Sequence, residues 1–268
     1  MLHLKSITRR DWPEREDGKY PFNIPVIHGL RELQFTSPVT FFVGENGSGK
    51  STLLEAIACA IGSVTVGSES VKTDKTLAET RKLAGYFRLA WTKRSQRGFF
   101  LRAEDFFGYA KKLNQTRAEL QADLDAVDGE YQNRSAFAKD LAKLPYQSEL
   151  GSMQRRYGEG LDNRSHGESF MALFQSRFVP NGLYLLDEPE APLSPLRQLA
   201  FLSALKGMVA QDAQFIIATH SPIIMAFPEA TILSFESDTI RIAKFEELEH
   251  INLTKAFLNI PEAYLRHL

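Results

Sequence analysis

The spacing of apolar and polar positions along the 268-residue chain switches between two periods. Leu2 to Thr8 alternates and predicts a strand, because successive side chains on an extended backbone face opposite ways. Three prolines and many charges between Asp11 and Pro25 predict an irregular segment. Leu30–Phe35 and Val39–Val43 read as strands around the turn Thr36-Ser37-Pro38. Thr52–Ile61 places Leu53, Leu54, Ile57, Ala58 and Ile61 at helical spacing, and Gly62–Thr76 reads as loop. Tyr86–Thr92 and Gly98–Arg102 read as two strands joined across Lys93–Arg97, a hairpin. From Glu104 to about Gly158, Leu113, Leu120, Leu124 and Val127 recur at near-helical spacing among Ala, Gln, Glu and Lys, so this stretch is expected to be helical. It is too short for a long coiled-coil arm and lacks a sustained heptad. Helix Ser169–Arg177, strand Gly182–Leu186, helix Leu196–Val209, strand Phe215–Ala218, strands Thr231–Phe235 and Thr239–Lys244, and a short closing helix follow. That order predicts one α/β domain over residues 1–268, with a helical subdomain inserted at 104–160.

The turn between Val39–Val43 and the first helix carries the most specific chemistry. Gly44-Glu45-Asn46-Gly47-Ser48-Gly49-Lys50-Ser51-Thr52 is a complete phosphate-binding loop, G-x-x-x-x-G-K-S. Its glycines let backbone N–H groups close around a polyphosphate, and the following helix adds its dipole. Lys50 is expected on the β- and γ-phosphates and the Ser51 hydroxyl on Mg²⁺.

Two further apolar strands end in reactive groups. Leu183-Tyr184-Leu185-Leu186-Asp187-Glu188 delivers two carboxylates to the carboxyl edge of a sheet, where ligands of α/β folds bind. Phosphoryl transfer needs a carboxylate for Mg²⁺ and a group that orients the attacking water. Asp187 is assigned to the metal and Glu188 to the general base. Phe215-Ile216-Ile217-Ala218-Thr219-His220 ends in an imidazole expected to touch the γ-phosphate or that water.

Composition adds exclusions. The hydrophobic fraction of 43% and charged fraction of 24% suit a soluble globular chain, and a net charge of −1 names no partner. One cysteine, Cys59, excludes an intrachain disulfide framework. Met1–Arg10 lacks the apolar core of a signal peptide, and no apolar run approaches the roughly 18 residues of a membrane span. A cytoplasmic protein is expected.

Phosphate loop, helical insertion, Ser165-His166-Gly167-Glu168, Asp187-Glu188-Pro189 and His220 stand in the order of an ATP-binding-cassette (ABC) ATPase, which the chain resembles over nearly its whole length. It is most similar to stand-alone ATPases related to the RecF, OLD and structural-maintenance-of-chromosomes heads. The resemblance implies a P-loop NTPase fold with an ABC-like mixed sheet, flanking helices, and MgATP hydrolysis between two copies of the chain. The family signature L-S-G-G-Q aligns with Arg164–Glu168. Ser165 and Gly167 match it and are implied to bind the γ-phosphate of the opposite subunit, whereas Arg164, His166 and Glu168 depart from it. Ala191-Pro192-Leu193-Ser194 resembles the D-loop of the dimer interface. Glu104 is the suspected equivalent of the glutamine switch and a metal candidate, with Gln96 as the alternative. The adenine-stacking aromatic is implied to be Trp12, Tyr20 or Phe22.

Residues 81–102 hold seven bases and no acids, with aromatics between them. On a hairpin they would form a cationic face for a nucleic-acid backbone. The expected function is therefore an ATPase coupled to nucleic-acid or partner-protein handling in repair or defence, a nuclease being one such partner. The alternative is the ATP-binding subunit of a membrane transporter. The atypical signature argues against it.

Overall fold

The computed structural model describes residues 2–66, 70–132, 134–157 and 166–266. Its elements are β1 (Leu4–Arg9), α1 (Pro25–Gly29), β2 (Glu32–Gln34), β3 (Val39–Val43), α2 (Lys50–Ile61), α3 (Ala78–Ala84), β4 (Phe87–Trp91), β5 (Phe100–Arg102), α4 (Ala103–Glu130), α5 (Ala136–Tyr157), α6 (His166–Arg177), β6 (Leu183–Asp187), α7 (Pro195–Val209), β7 (Gln214–Ala218), α8 (Pro222–Met225), β8 (Thr231–Ser234), β9 (Arg241–Ala243), α9 (Glu249–Asn259) and α10 (Pro261–Leu265). The strands form two sheets, β2-β1-β4 and β5-β6-β7-β3-β8-β9. The first is antiparallel. In the second, β5, β6, β7, β3 and β8 run parallel and β9 closes the edge antiparallel.

Alternation within β3 explains the layers. Phe42 faces one core with Leu53, Leu54 and Ile57 of α2 and Leu4 and Ile7 of β1. Phe41 and Val43 face the opposite core with Phe170 and Phe174 of α6 and Phe201 and Leu205 of α7. Each such fully buried side chain contributes about 1.5–3 kcal/mol through area removed from water. On the second side Tyr184 and Phe215 stack at 4.9 Å between ring centroids, and Phe99 meets Tyr184 edge-on at 5.1 Å. The two sheets are tied by Gln214, whose amide accepts from His3 N and Leu4 N at 2.8 Å and donates to Leu4 O at 3.0 Å.

Two long helices, α4 and α5, lie in the stretch expected to be helical. No helix among the described residues is long and apolar enough to cross a membrane.

The expected hairpin over residues 86–102 does not form. β4 pairs antiparallel with β1, while β5 pairs parallel with β6, in the other sheet. The chain crosses between sheets at Gly98, whose φ of +110° is open to glycine. Leu183 N donates to Arg97 O at 2.9 Å and Leu185 N to Phe99 O at 3.0 Å, which docks the segment onto β6. Long-range register, invisible to local alternation, chose both partners. The cationic face is lost with the hairpin. Arg102 is buried among acids, Arg81 donates to backbone carbonyls of Val71 and Asp74, and Lys82 pairs with Glu79 at 2.7 Å. Arg88, Lys93, Arg94 and Arg97 keep exposed side chains.

Candidate nucleotide site

The carboxyl ends of β3, β6 and β7 lie side by side, since Phe42 is in register with Ala218 and Ala218 with Asp187. That edge brings together the phosphate loop, the two acids and His220. The loop turns through Gly44, Gly47 and Gly49, all at positive φ. Gly49 is the tightest: a Cβ there would stand 2.9 Å from Ile24 Cγ2 and Val26 Cγ2. Lys50, only 4% exposed, curls back and donates to Gly44 O and Glu45 O, both at 2.8 Å. Burial pulls its ammonium below the ordinary lysine range, opposed by Glu188, Asp187 and Glu190.

Ser51 Oγ donates to Asp187 Oδ1 at 3.0 Å. Burial pushes the Asp187 carboxyl up to about 7; Ser51 and Lys50 hold it down, Glu55 and Glu188 push it further up. A hydroxyl and a buried carboxylate short of compensating charge fit a hard divalent cation. No cluster of three or more acidic, histidine or cysteine ligands exists among the described residues. A magnesium ion seated here would therefore share its sphere with water and substrate phosphates.

Glu188 follows with φ +49° and its amide bonded to Ala218 O at 2.9 Å. This turn leaves the carboxylate half-exposed, 3.8 Å from His220 Nε2. Both, with Glu45 and Asn46, line an open cleft of about 480 Å³. Burial lowers the His220 pKa and Lys50 lowers it further, against Glu188, so the imidazole is neutral at neutral pH. Glu190 anchors the backbone that carries the ring: its Oε1 accepts from His220 N at 2.6 Å and Ser221 N at 3.1 Å.

Of the three aromatics, Tyr20 is 51% exposed with its hydroxyl 3.3 Å from Thr52 Oγ1 at the end of the phosphate loop. Phe22 is buried, and Trp12 packs on it beneath the Arg9 guanidinium, 4.0 Å from the ring centroid. Ser165 lies outside the described residues. Gly167, in the first turn of α6, is pressed on the D-loop-like turn: a Cβ would meet Arg197 Cδ at 2.6 Å and Pro192 O at 2.9 Å. Arg197 Nη2 also donates to Glu168 Oε1 at 2.7 Å.

Glu104 stands two residues past Arg102, the register mate of Asp187, at the carboxyl end of β5. Its carboxylate is 76% exposed and 3.6 Å from Arg102. Gln96 precedes β5 and so stands at the opposite end of the strand. The acid whose field reaches Asp187 from α2 is Glu55, a residue sequence reasoning missed. It follows Ser51 by four residues, one helical turn, which is the spacing that marks a shared face. Burial lifts Glu55 to about 7 even though Arg102 Nη1 lies 3.4 Å away. Arg102 also bonds Asp105 at 2.7 Å and Asp74 at 2.9 Å. Burial works against its charge, but those acids outweigh it and hold it protonated.

Comparison with known proteins gives the family. The AAA_23 family, an AAA domain, matches residues 23–170, more than half of the chain. The chain is 25% identical over 252 residues to the cobalt import ATP-binding protein CbiO of Salmonella typhimurium, spanning 88% of this chain and 84% of that protein. It is 23% identical over 200 residues to the L-cystine transport system ATP-binding protein TcyN of Escherichia coli, 73% of this chain and 74% of that protein. Among solved structures it is similar to the Smc head domain of Pyrococcus furiosus, at TM-score 0.48 and 12% identity over 97% of this chain and 100% of that one. It is likewise similar to cbiO1 of Clostridium perfringens, at TM-score 0.47 and 15% identity over the whole of both chains. The chain belongs to the AAA-domain family AAA_23 and is an ABC-type P-loop ATPase.

Proposed function

We propose that two copies of this chain sandwich two MgATP molecules head to tail, and that hydrolysis is coupled to handling of nucleic acid or a partner protein in repair or defence, in the cytoplasm. The observation that supports it most is the meeting of Lys50, the Ser51–Asp187 pair, Glu188 and His220 on one sheet edge. Lys50 and the loop amides hold the triphosphate, with Thr52 toward the α-phosphate and Tyr20 against the adenine. Mg²⁺, held by Ser51 and Asp187 with water and phosphate oxygens, would neutralise charge building on the phosphates. Glu188 takes the proton of the attacking water, and His220 donates to the γ-phosphate. Glu190 orients His220 through its backbone. Ser165 and Gly167 of the opposite copy complete the site.

Hydrolysis and assembly are separable by two variants. Lys50→Ala should abolish nucleotide binding, read by titration of a fluorescent ATP analogue. Glu188→Gln should bind MgATP, turn over about 10²–10⁴-fold more slowly, and elute from gel filtration as a dimer, because the base is gone and the phosphate contacts remain. An ATP-loaded monomer of that variant would count against the sandwich.

Arg88, Lys93, Arg94 and Arg97 are what remains for a nucleic-acid backbone. Salt-insensitive failure to bind single- and double-stranded DNA would leave a protein such as a nuclease as the partner. The names of the relatives favour a second reading, the ATP-binding subunit of a transporter. Copurification with a membrane protein supports that reading over the first.

A further inference from the structure

Helix α9, the last but one of the described helices, reaches the nucleotide site. α9 is fastened to the core by Leu248 and Ile251, each 1% exposed. His250 and Thr254, four residues apart, share another face, and Thr254 Oγ1 donates to His250 O at 2.7 Å. That face, with Asn46 and Ser48 of the phosphate loop, His220, and Ser237, lines a cavity of about 960 Å³. Three side-chain atoms on this wall are shielded from solvent and have no hydrogen-bond partner among the described residues: Ser48 Oγ, His220 Nε2 and His250 Nε2. Buried polar atoms are normally paired, so three orphans on residues around one cavity are groups that a side-chain rotation would present to a polar ligand there. Glu236, Asp238 and Glu249 also line the cavity. Glu45 of the phosphate loop lines it too, so an anion here would be held by the loop amides and not by a side-chain cation of the cavity wall. Burial keeps the His250 ring below the ordinary histidine range, with Lys50 adding to the effect and Glu236 opposing it. The ring is thus neutral and offers one N–H.

We infer that His250 contacts the nucleotide: with a triphosphate bound, its Nε2–H donates to an oxygen of the terminal phosphate, and α9 is held against the phosphate loop. In the diphosphate state that oxygen is gone and α9 is released. His250 therefore reports to the C-terminal end of the chain which nucleotide is bound. The inference rests on the nucleotide site proposed above.

Hydrogen–deuterium exchange on the full chain tests it, with a nonhydrolysable ATP analogue, with ADP and without nucleotide. The analogue should protect residues 44–52 and 249–259, and ADP residues 44–52 alone. His250→Ala should lose the protection of 249–259, keep that of 44–52, and bind the analogue about tenfold more weakly with ADP affinity unchanged. His250→Gln, which keeps an N–H donor, should recover part of both. Protection at 44–52 with unchanged exchange at 249–259 in the wild type overturns the role of His250. So does a His250→Ala chain that binds both nucleotides as the wild type does. Absence of protection at 44–52 brings down the nucleotide site itself, and this inference with it.

Discussion

Glu55 and Asp187 hold their protons up to about pH 7 because each carboxyl is taken out of water with incomplete compensation. The sign of the consequence follows. Native chains bind more protons than unfolded ones between the ordinary values, 4.5 and 3.8, and about 7, so the unliganded protein loses stability as pH rises through that window. The urea midpoint without nucleotide or Mg²⁺ should fall from pH 5.5 to pH 8. Asp187→Asn, which cannot ionise, should show a shallower fall; superimposable profiles would refute the assignment. MgATP should reverse the trend, since a cation beside Asp187 compensates the charge that burial penalises. Glu190 works by another route. It takes its place through backbone amides of residues 30 and 31 positions away, a contact with no local signature.

Among the elements, those with strong internal periodicity were readable from the chain. The sequence expectation of a strand at 39–43 and a helix to Ile61 matches β3 and α2, and the same holds for β6, α7 and β7 within one or two residues. The phosphate loop and the Asp187-Glu188 edge were legible because each follows a buried strand. What escaped was pairing. β5 has three residues and a side chain, Arg102, that looks solvent-bound until Asp74, Glu55 and Asp105 gather around it from α2, α4 and a loop. Helix α3 escaped as well, a short helix just beyond the stretch of small and polar residues that ends at Thr76. Gly98 carries the crossing between sheets, and a Cβ there would collide with the Leu183 carbonyl. Gly98→Ala should cost about 3 kcal/mol in denaturant unfolding, through strain at positive φ and displacement of β5. A loss below about 0.5 kcal/mol would show that the crossing tolerates a side chain.

For the molecule as a whole, the sandwich makes one sharp demand. Ser165→Arg should leave ATP binding to the isolated chain intact and abolish turnover, because in the proposed sandwich the side chain would act on the nucleotide of the other copy. Mixing it with Lys50→Ala chains should restore up to one active site per dimer. An unchanged rate for Ser165→Arg alone would remove the serine from the reaction.

The position of α4 has a mechanical consequence. The helix has 28 residues; its first turns are gripped, Phe106 meeting Phe170 at 4.7 Å and Arg177 bonding Tyr109 Oη at 2.9 Å, and most of its later side chains are exposed, with α5 paired alongside through Lys139 and Lys143 to Asp128. At 1.5 Å per residue the rod is about 42 Å long. A tilt of about 5° at Ala103, next to the strand that pairs with Asp187, would carry the far tip through about 4 Å. Small rearrangements around a hydrolysing phosphate would thus gain stroke at a distance, and a partner holding that tip would feel them as a pull.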